Sequence, residues 1–322
     1  MPATPPCSSL SVTATDGASL AVRVDGADDA PVTLVLAHGW TLDARAWERH
    51  ARELAADGTV RVVRYDQRGH GGSGGGSIRP WSIDLLGDDL AGIIDAVAPG
   101  GPLVLGGHSM GGMTIMALAA AYPELVTDRV AGVLLTSTSA GQLDARRRRS
   151  VPLRLRALGH VESAFFAYCS RTAERSARIR DHLPGPDGRF NPALVKRYLY
   201  GPDAPGEAVL AGARMIHACP MPAVADWFPA LMTHDKAGAL GALRELPVEI
   251  VVGSLDRLTP VAHSRRLARE LPQAALHIEP ECGHMLLLER PAVVTERLRS
   301  LCAGAVAGVG VGAGIEARTE AG

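Results

Sequence analysis

The stretch PLVLGGHSMGGMTIMALAAAY, Pro102 to Tyr122, passes from a short apolar strand directly into a long apolar helix. At the junction stand Gly107, His108, Ser109, Met110 and Gly111, a G-x-S-x-G pattern in the strand–turn–helix setting of a nucleophile elbow. The glycines have a steric reason. A strand that turns straight into a helix strains the serine backbone and brings neighbouring segments too close for side chains. Glycine two residues to either side relieves that crowding and leaves the Ser109 hydroxyl at the end of a strand.

Working outward, apolar and β-branched clusters predict eight strands: Leu10–Ala14, Ser19–Val24, Val32–Ala37, Val60–Tyr65, Leu103–Leu105, Val130–Leu135, Val248–Val252 and Ala275–Ile278. VTLVLA, PLVLGG, GVLLTS and EIVVGS are near-continuous apolar runs, as parallel strands covered on both faces require. The first two strands alternate, as an antiparallel edge would. Between strands, Trp47, Ala51, Leu54 and Ala55 share one helical face, and Leu86, Leu90, Ile93, Ile94 and Val97 share another. Pro260 and Pro291 stand at helix starts, where a missing N–H costs nothing. The expected fold is an α/β, doubly wound, mostly parallel eight-stranded sheet.

The rhythm breaks once, over residues 140–232, where no convincing strand occurs. This segment is read as a helical cap inserted after the sixth strand, splitting a core of residues 8–139 and 233–301. It carries 14 Lys/Arg against 8 Asp/Glu, in a chain whose net charge is −1. Its densest basic run is Arg146–Arg149. A solvated face explains such a run most simply; a site for an anionic or carrier-bound acyl substrate is the sharper reading. Residues 302–322, rich in Gly and Ala, are expected to form a disordered tail.

A serine hydroxyl is a weak nucleophile and needs a base, itself oriented by a carboxylate. Among 11 histidines, His284 has the right place, in ECGH just beyond the last strand, where a loop returns it to the carboxyl edge of the sheet. Asp256 follows the strand VEIVV directly, whereas Asp128, Asp226 and Asp235 follow no core strand. The backbone N–H groups of Met110 and of Trp40, the latter in His38-Gly39-Trp40 after VTLVLA, are the candidate donors to a developing oxyanion. His38, Gly39, Gly107, His108 and Gly111 are read as supports of that turn and of the elbow.

Composition excludes other classes. Near-neutral charge and 13 scattered aromatic residues argue against a nucleic-acid partner. Five widely spaced cysteines without a CxxC pair indicate neither a zinc site nor a disulfide framework. YDQRGHGGS lacks the GK[ST] ending of a phosphate loop and is read as structural. No metal and no cofactor are expected. The N-terminus has no signal-like pattern and no uninterrupted apolar run reaches a membrane span, so a cytoplasmic protein is expected.

Taken in order, HGW, YDQRGHGGS, GHSMGG, GSLDRLTP and ECGHMLLLERP resemble the α/β-hydrolase family over residues 8 to 301. The resemblance implies Ser109, Asp256 and His284 as a catalytic triad, an oxyanion hole at Trp40 and Met110, and a cap after the sixth strand. The implied activity is cofactor-free hydrolysis of a small-molecule ester, thioester or related acyl bond through an acyl-enzyme. Two alternatives stay open: a specialised branch (thioesterase, lactonase, C–C hydrolase, perhydrolase or cyclase) and a slow or non-catalytic ligand-binding protein.

Overall fold

A computed structural model describes residues 7–143, 172 and 190–319. The strands are β1 (Cys7–Thr13), β2 (Ser19–Asp25), β3 (Val32–Ala37), β4 (Val60–Tyr65), β5 (Leu103–His108), β6 (Val130–Thr136), β7 (Val248–Gly253) and β8 (Ala275–Glu279). They form one sheet in the order β1-β2-β4-β3-β5-β6-β7-β8. β1 and β2 join the edge antiparallel. All pairs from β4 onward run parallel. The alternating strands at the edge and the continuous apolar runs inside are therefore borne out.

The helices are α1 (Glu48–Leu54), α2 (Ile83–Val97), α3 (Met110–Ala121), α4 (Pro123–Arg129), α5 (Phe190–Leu199), α6 (Gly206–Ala218), α7 (Met221–Thr233), α8 (Val261–Glu270), α9 (Leu286–Glu289) and α10 (Pro291–Thr319). Two apolar layers result from the two-residue period of the strands. Val35, Val63, Leu105, Val133 and Ile250 face one layer, with α2 residues such as Ile93 and Ile94. Leu34, Leu36, Val62, Val104, Leu134 and Val251 face the other, with Trp47, Leu298 and Leu301. α3 is apolar all round because it is buried all round. At Gly87 an added Cβ would lie 2.9 Å from the α3 backbone, so α2 packs on α3 at close range.

The described α-helices between β6 and β7 are α5, α6 and α7. Trp227 of α7 is fully buried, stacks on Trp81 with ring centroids 4.8 Å apart, and donates from Nε1 to the Arg68 carbonyl at 3.0 Å. Chain segments on either side of this region meet where Gly141 bridges Asp235 and the Lys236 N–H donates to the Ala140 carbonyl at 2.7 Å. The run Arg146–Arg149 lies outside the described residues. Among the described residues no single helix is long and apolar enough to cross a membrane.

One expectation is corrected. Helix α10 runs through Leu301 to Thr319, where the sequence predicts a disordered tail from residue 302. Its packing supplies the reason. Val294, Leu298, Leu301, Cys302 and Ala305 recur at helical spacing and are buried against the sheet. Gly132 of β6 leaves the space that Leu301 fills: a Cβ there would stand 3.0 Å from the Leu301 side chain.

Candidate active site

Four strand ends converge at the carboxyl edge of the sheet. Ser109 follows β5 and caps α3 with φ 53° and ψ −115°, a backbone conformation that a non-glycine residue adopts only when its surroundings impose it. They do so through hydrogen bonds: the Ser109 N–H donates to the Thr136 carbonyl at 2.9 Å, and Thr138 Oγ1 donates to the Ser109 carbonyl at 2.7 Å. The glycines fit the steric argument. A Cβ on Gly107 would lie 2.6 Å from the backbone of Gly111 and Gly112, and one on Gly111 would run into the Ala37 carbonyl.

The turn after β3 closes on the same point. A Cβ on Gly39 would stand 3.2 Å from the Ser109 Cβ and 2.6 Å from His108 Nδ1, so the His38-Gly39-Trp40 turn passes directly over the nucleophile. Met110 is the first residue of α3, and a helix leaves its first N–H groups without intrahelical acceptors, at the positive end of the helix dipole.

His38 holds this turn in a fixed tautomer. The Gln67 N–H donates to its Nε2 at 2.8 Å, so Nδ1 carries the proton and donates to the Gly39 carbonyl at 2.8 Å. The Gln67 side chain reaches back to the His38 carbonyl and accepts from Thr114 Oγ1 at 2.7 Å. Burial pushes the His38 pKa down, which keeps the ring neutral.

On the other side of the elbow stand Asp256, after β7, and His284, after β8. His284 Nδ1 lies 3.0 and 2.9 Å from the two carboxylate oxygens of Asp256, and both side chains are buried. The carboxylate also accepts the N–H groups of Leu258 and Thr259, each at 2.9 Å, and Thr259 Oγ1 at 2.8 Å. Burial by itself would raise the Asp256 carboxyl. The His284 imidazole and the Thr259 donors outweigh it and hold the group well below the usual carboxylate range. His108 Nε2 donates to the His284 carbonyl at 3.0 Å, with ring centroids 5.0 Å apart, so the residue before the nucleophile supports the histidine loop. Burial pushes His108 down to about 3.

The candidate triad and oxyanion-turn residues all lie on segments at this edge, and Asp256 and His284 are in direct contact. No hydrogen bond joins Ser109 Oγ to His284 among the described residues; such contacts commonly tighten when substrate binds. Three supporting residues escape a reading of the sequence. Thr259 could have been found, since D-x-x-T after a strand is an Asx-type turn pattern. Gln67 and Glu289 lie within YDQRGHGGS and ECGHMLLLERP, but nothing in those runs shows that Gln67 meets His38 and Thr114 or that Glu289 meets Gly201 and Gly283. Asp66 and Arg68 explain YDQRGHGGS as a structural loop: Asp66 accepts the Ala44 and Gly72 N–H groups, and the fully buried Arg68 pairs with Asp89 and Asp16.

The chain is similar to known proteins in sequence and in fold. A sequence model of the alpha/beta hydrolase family matches residues 34–297. The chain is 27% identical to a pimeloyl-[acyl-carrier protein] methyl ester esterase of Aromatoleum aromaticum, over 80% of this chain and 93% of the relative. The solved structure of a thermophilic esterase from Thermogutta terrifontis superposes with a TM-score of 0.70 at 26% identity, covering 92% of this chain and 99% of that one. An enol-lactonase from Burkholderia xenovorans LB400 shares the fold, with a TM-score of 0.70 at 23% identity over 91% of this chain and 100% of that one.

Proposed function

The chain belongs to the α/β-hydrolase family, and on that premise we propose that it is a carboxylic ester hydrolase in which Ser109, His284 and Asp256 act as one catalytic unit. The observation that carries this reading is the buried Asp256–His284 pair, 2.9 Å apart, beside a serine held at φ 53° on an elbow. An elbow alone is a way to turn a chain. An elbow facing a carboxylate-oriented imidazole is a way to deprotonate a hydroxyl.

Ser109 Oγ attacks the ester carbonyl while His284 Nε2 takes its proton. The Asp256 carboxylate accepts from His284 Nδ1–H, fixing the tautomer and stabilising the imidazolium that forms. Negative charge on the former carbonyl oxygen is received by the N–H groups of Met110 and Trp40. The tetrahedral adduct collapses, and the leaving alcohol takes the proton from His284. Water, deprotonated by the same imidazole, then releases the acid from Ser109. Thioesters present the same carbonyl and a better leaving group, so the same residues serve them. A relative that acts on a carrier-bound methyl ester, together with the basic cap sequence, favours an acyl chain bearing a negative charge or a carrier.

The test is steady-state hydrolysis of p-nitrophenyl acetate. Ser109→Ala is expected to lower kcat/KM by about 10⁴-fold or more. Activity within tenfold of the parent would remove Ser109 from the chemistry.

A further inference from the structure

Glu289, the last residue of α9, is 3% exposed. Its Oε2 accepts the Gly201 N–H at 2.8 Å, and the Gly283 N–H reaches both carboxylate oxygens at 2.9 and 3.1 Å. Among the described residues no cation stands within ion-pair distance of it. Gly283 immediately precedes His284, whereas Gly201 lies just beyond α5, in the chain leaving the first described cap helix. One carboxylate therefore holds two segments from different parts of the molecule.

The same junction carries further bonds. The Leu199 carbonyl accepts the N–H groups of His284 at 2.7 Å and Met285 at 3.2 Å. Arg257, next to Asp256, donates from Nη1 to the Arg197 carbonyl at 2.8 Å. These are carbonyls of the last turn of α5, which have no partners inside the helix. The segments run in contact, for a Cβ on Gly283 would stand 2.5 Å from the Leu199 carbonyl oxygen. Burying a carboxylate that makes no ion pair, with only the charge of neighbouring Arg290 acting on it, is costly, and apolar packing at this corner would need no charge. What a carboxylate supplies is two acceptor oxygens for two converging N–H groups. An amide has one such oxygen and would turn an NH₂ group toward the second donor.

We infer that Glu289 is a positioning residue for His284: by clamping Gly201 and Gly283 to one carboxylate, it makes the foot of the cap and the loop of the catalytic base a single unit. This rests on His284 being the base, so His284→Ala is measured alongside. The decisive variant is Glu289→Gln, assayed for kcat and KM on p-nitrophenyl acetate, for fold by circular dichroism, and for the far-downfield proton of His284 Nδ1–H by NMR. The folded variant is expected to lose about tenfold or more in kcat with KM within about threefold, and the downfield resonance is expected to move or broaden. A merely structural role would lower the melting temperature and leave kcat and the resonance of the folded protein alone. That result overturns the inference while His284→Ala stays inactive. Should Glu289→Gln fail to fold, Glu289→Asp keeps the charge but reaches only one of the two N–H groups, and the same kcat loss and the same null result decide. An active His284→Ala protein would overturn the base assignment and this inference together.

Discussion

On the nucleophile side of the site, Gly39, Gly107 and Gly111 let chain segments pass where no Cβ fits, and the serine backbone is held by the Thr136 carbonyl and the Thr138 hydroxyl. On the acid–base side, Asp256 and Glu289 gather side-chain and main-chain donors around carboxylates. The first half is specified by excluded volume and the second by charge and hydrogen bonding. Each half should then fail under a different insult: added bulk breaks the elbow, and a changed charge or a lost acceptor breaks the dyad.

The largest expected effect is on the charge side. Asp256→Asn is close to isosteric, yet it presents an amide where His284 Nδ1–H needs an acceptor, and it favours the wrong tautomer. A fall in kcat of about 10⁴-fold is expected with the fold unchanged; a loss under tenfold would show that the carboxylate does not orient the base. On the bulk side, Gly107→Ala places a methyl group against immovable α3 backbone. A stability loss of about 3 kcal/mol, or failure to fold, is expected in urea denaturation. A variant as stable as the parent would contradict the volume argument.

Acid should reach the nucleophile half first. Burial lowers His38 and pushes His70 and His108 to about 3. His38 and His70 each use Nε2 to accept a backbone N–H, which the protonated ring cannot do. Below about pH 6.5 the unfolded chain therefore binds protons that these rings refuse, so unfolding free energy falls as pH falls. Each ring contributes up to about 1.4 kcal/mol per pH unit between its unfolded and folded pKa. Asp256 works over a lower window, since its depressed pKa keeps it charged well below the usual carboxylate range. Urea midpoints at pH 7, 6 and 5 should decline steadily, and a flat series would contradict the buried neutral histidines. The smallest effect is expected at Thr259→Val, which removes one hydroxyl from Asp256. A fewfold loss in kcat should follow, with KM unchanged, and an unaltered kcat would show the hydroxyl to be idle.

The same division governs what could be read from the chain. The elbow is legible because its cause is local: strand, glycine spacing and helix lie within about twenty residues. Asp256 and His284 are legible because each follows a core strand, and a parallel sheet brings strand ends to one edge. The roles of Glu289 and Gln67 are opaque, because Gly201, His38 and Thr114 lie far from them in sequence and no spacing rule makes those connections. The course of α10 beyond Leu301 is hidden in the sequence for a related reason. Its Gly/Ala composition suggests disorder, whereas the space left by Gly132 on β6 decides where Leu301 packs.

The central claim is that the two halves act as one unit, with the base on one side activating the hydroxyl on the other. It is tested most directly by reacting the folded protein with a fluorophosphonate and locating the label by peptide mass spectrometry. Stoichiometric labelling confined to Ser109, and slowed by orders of magnitude in His284→Ala, is the expected result. Labelling at another residue, or a rate unchanged by His284→Ala, would contradict the account.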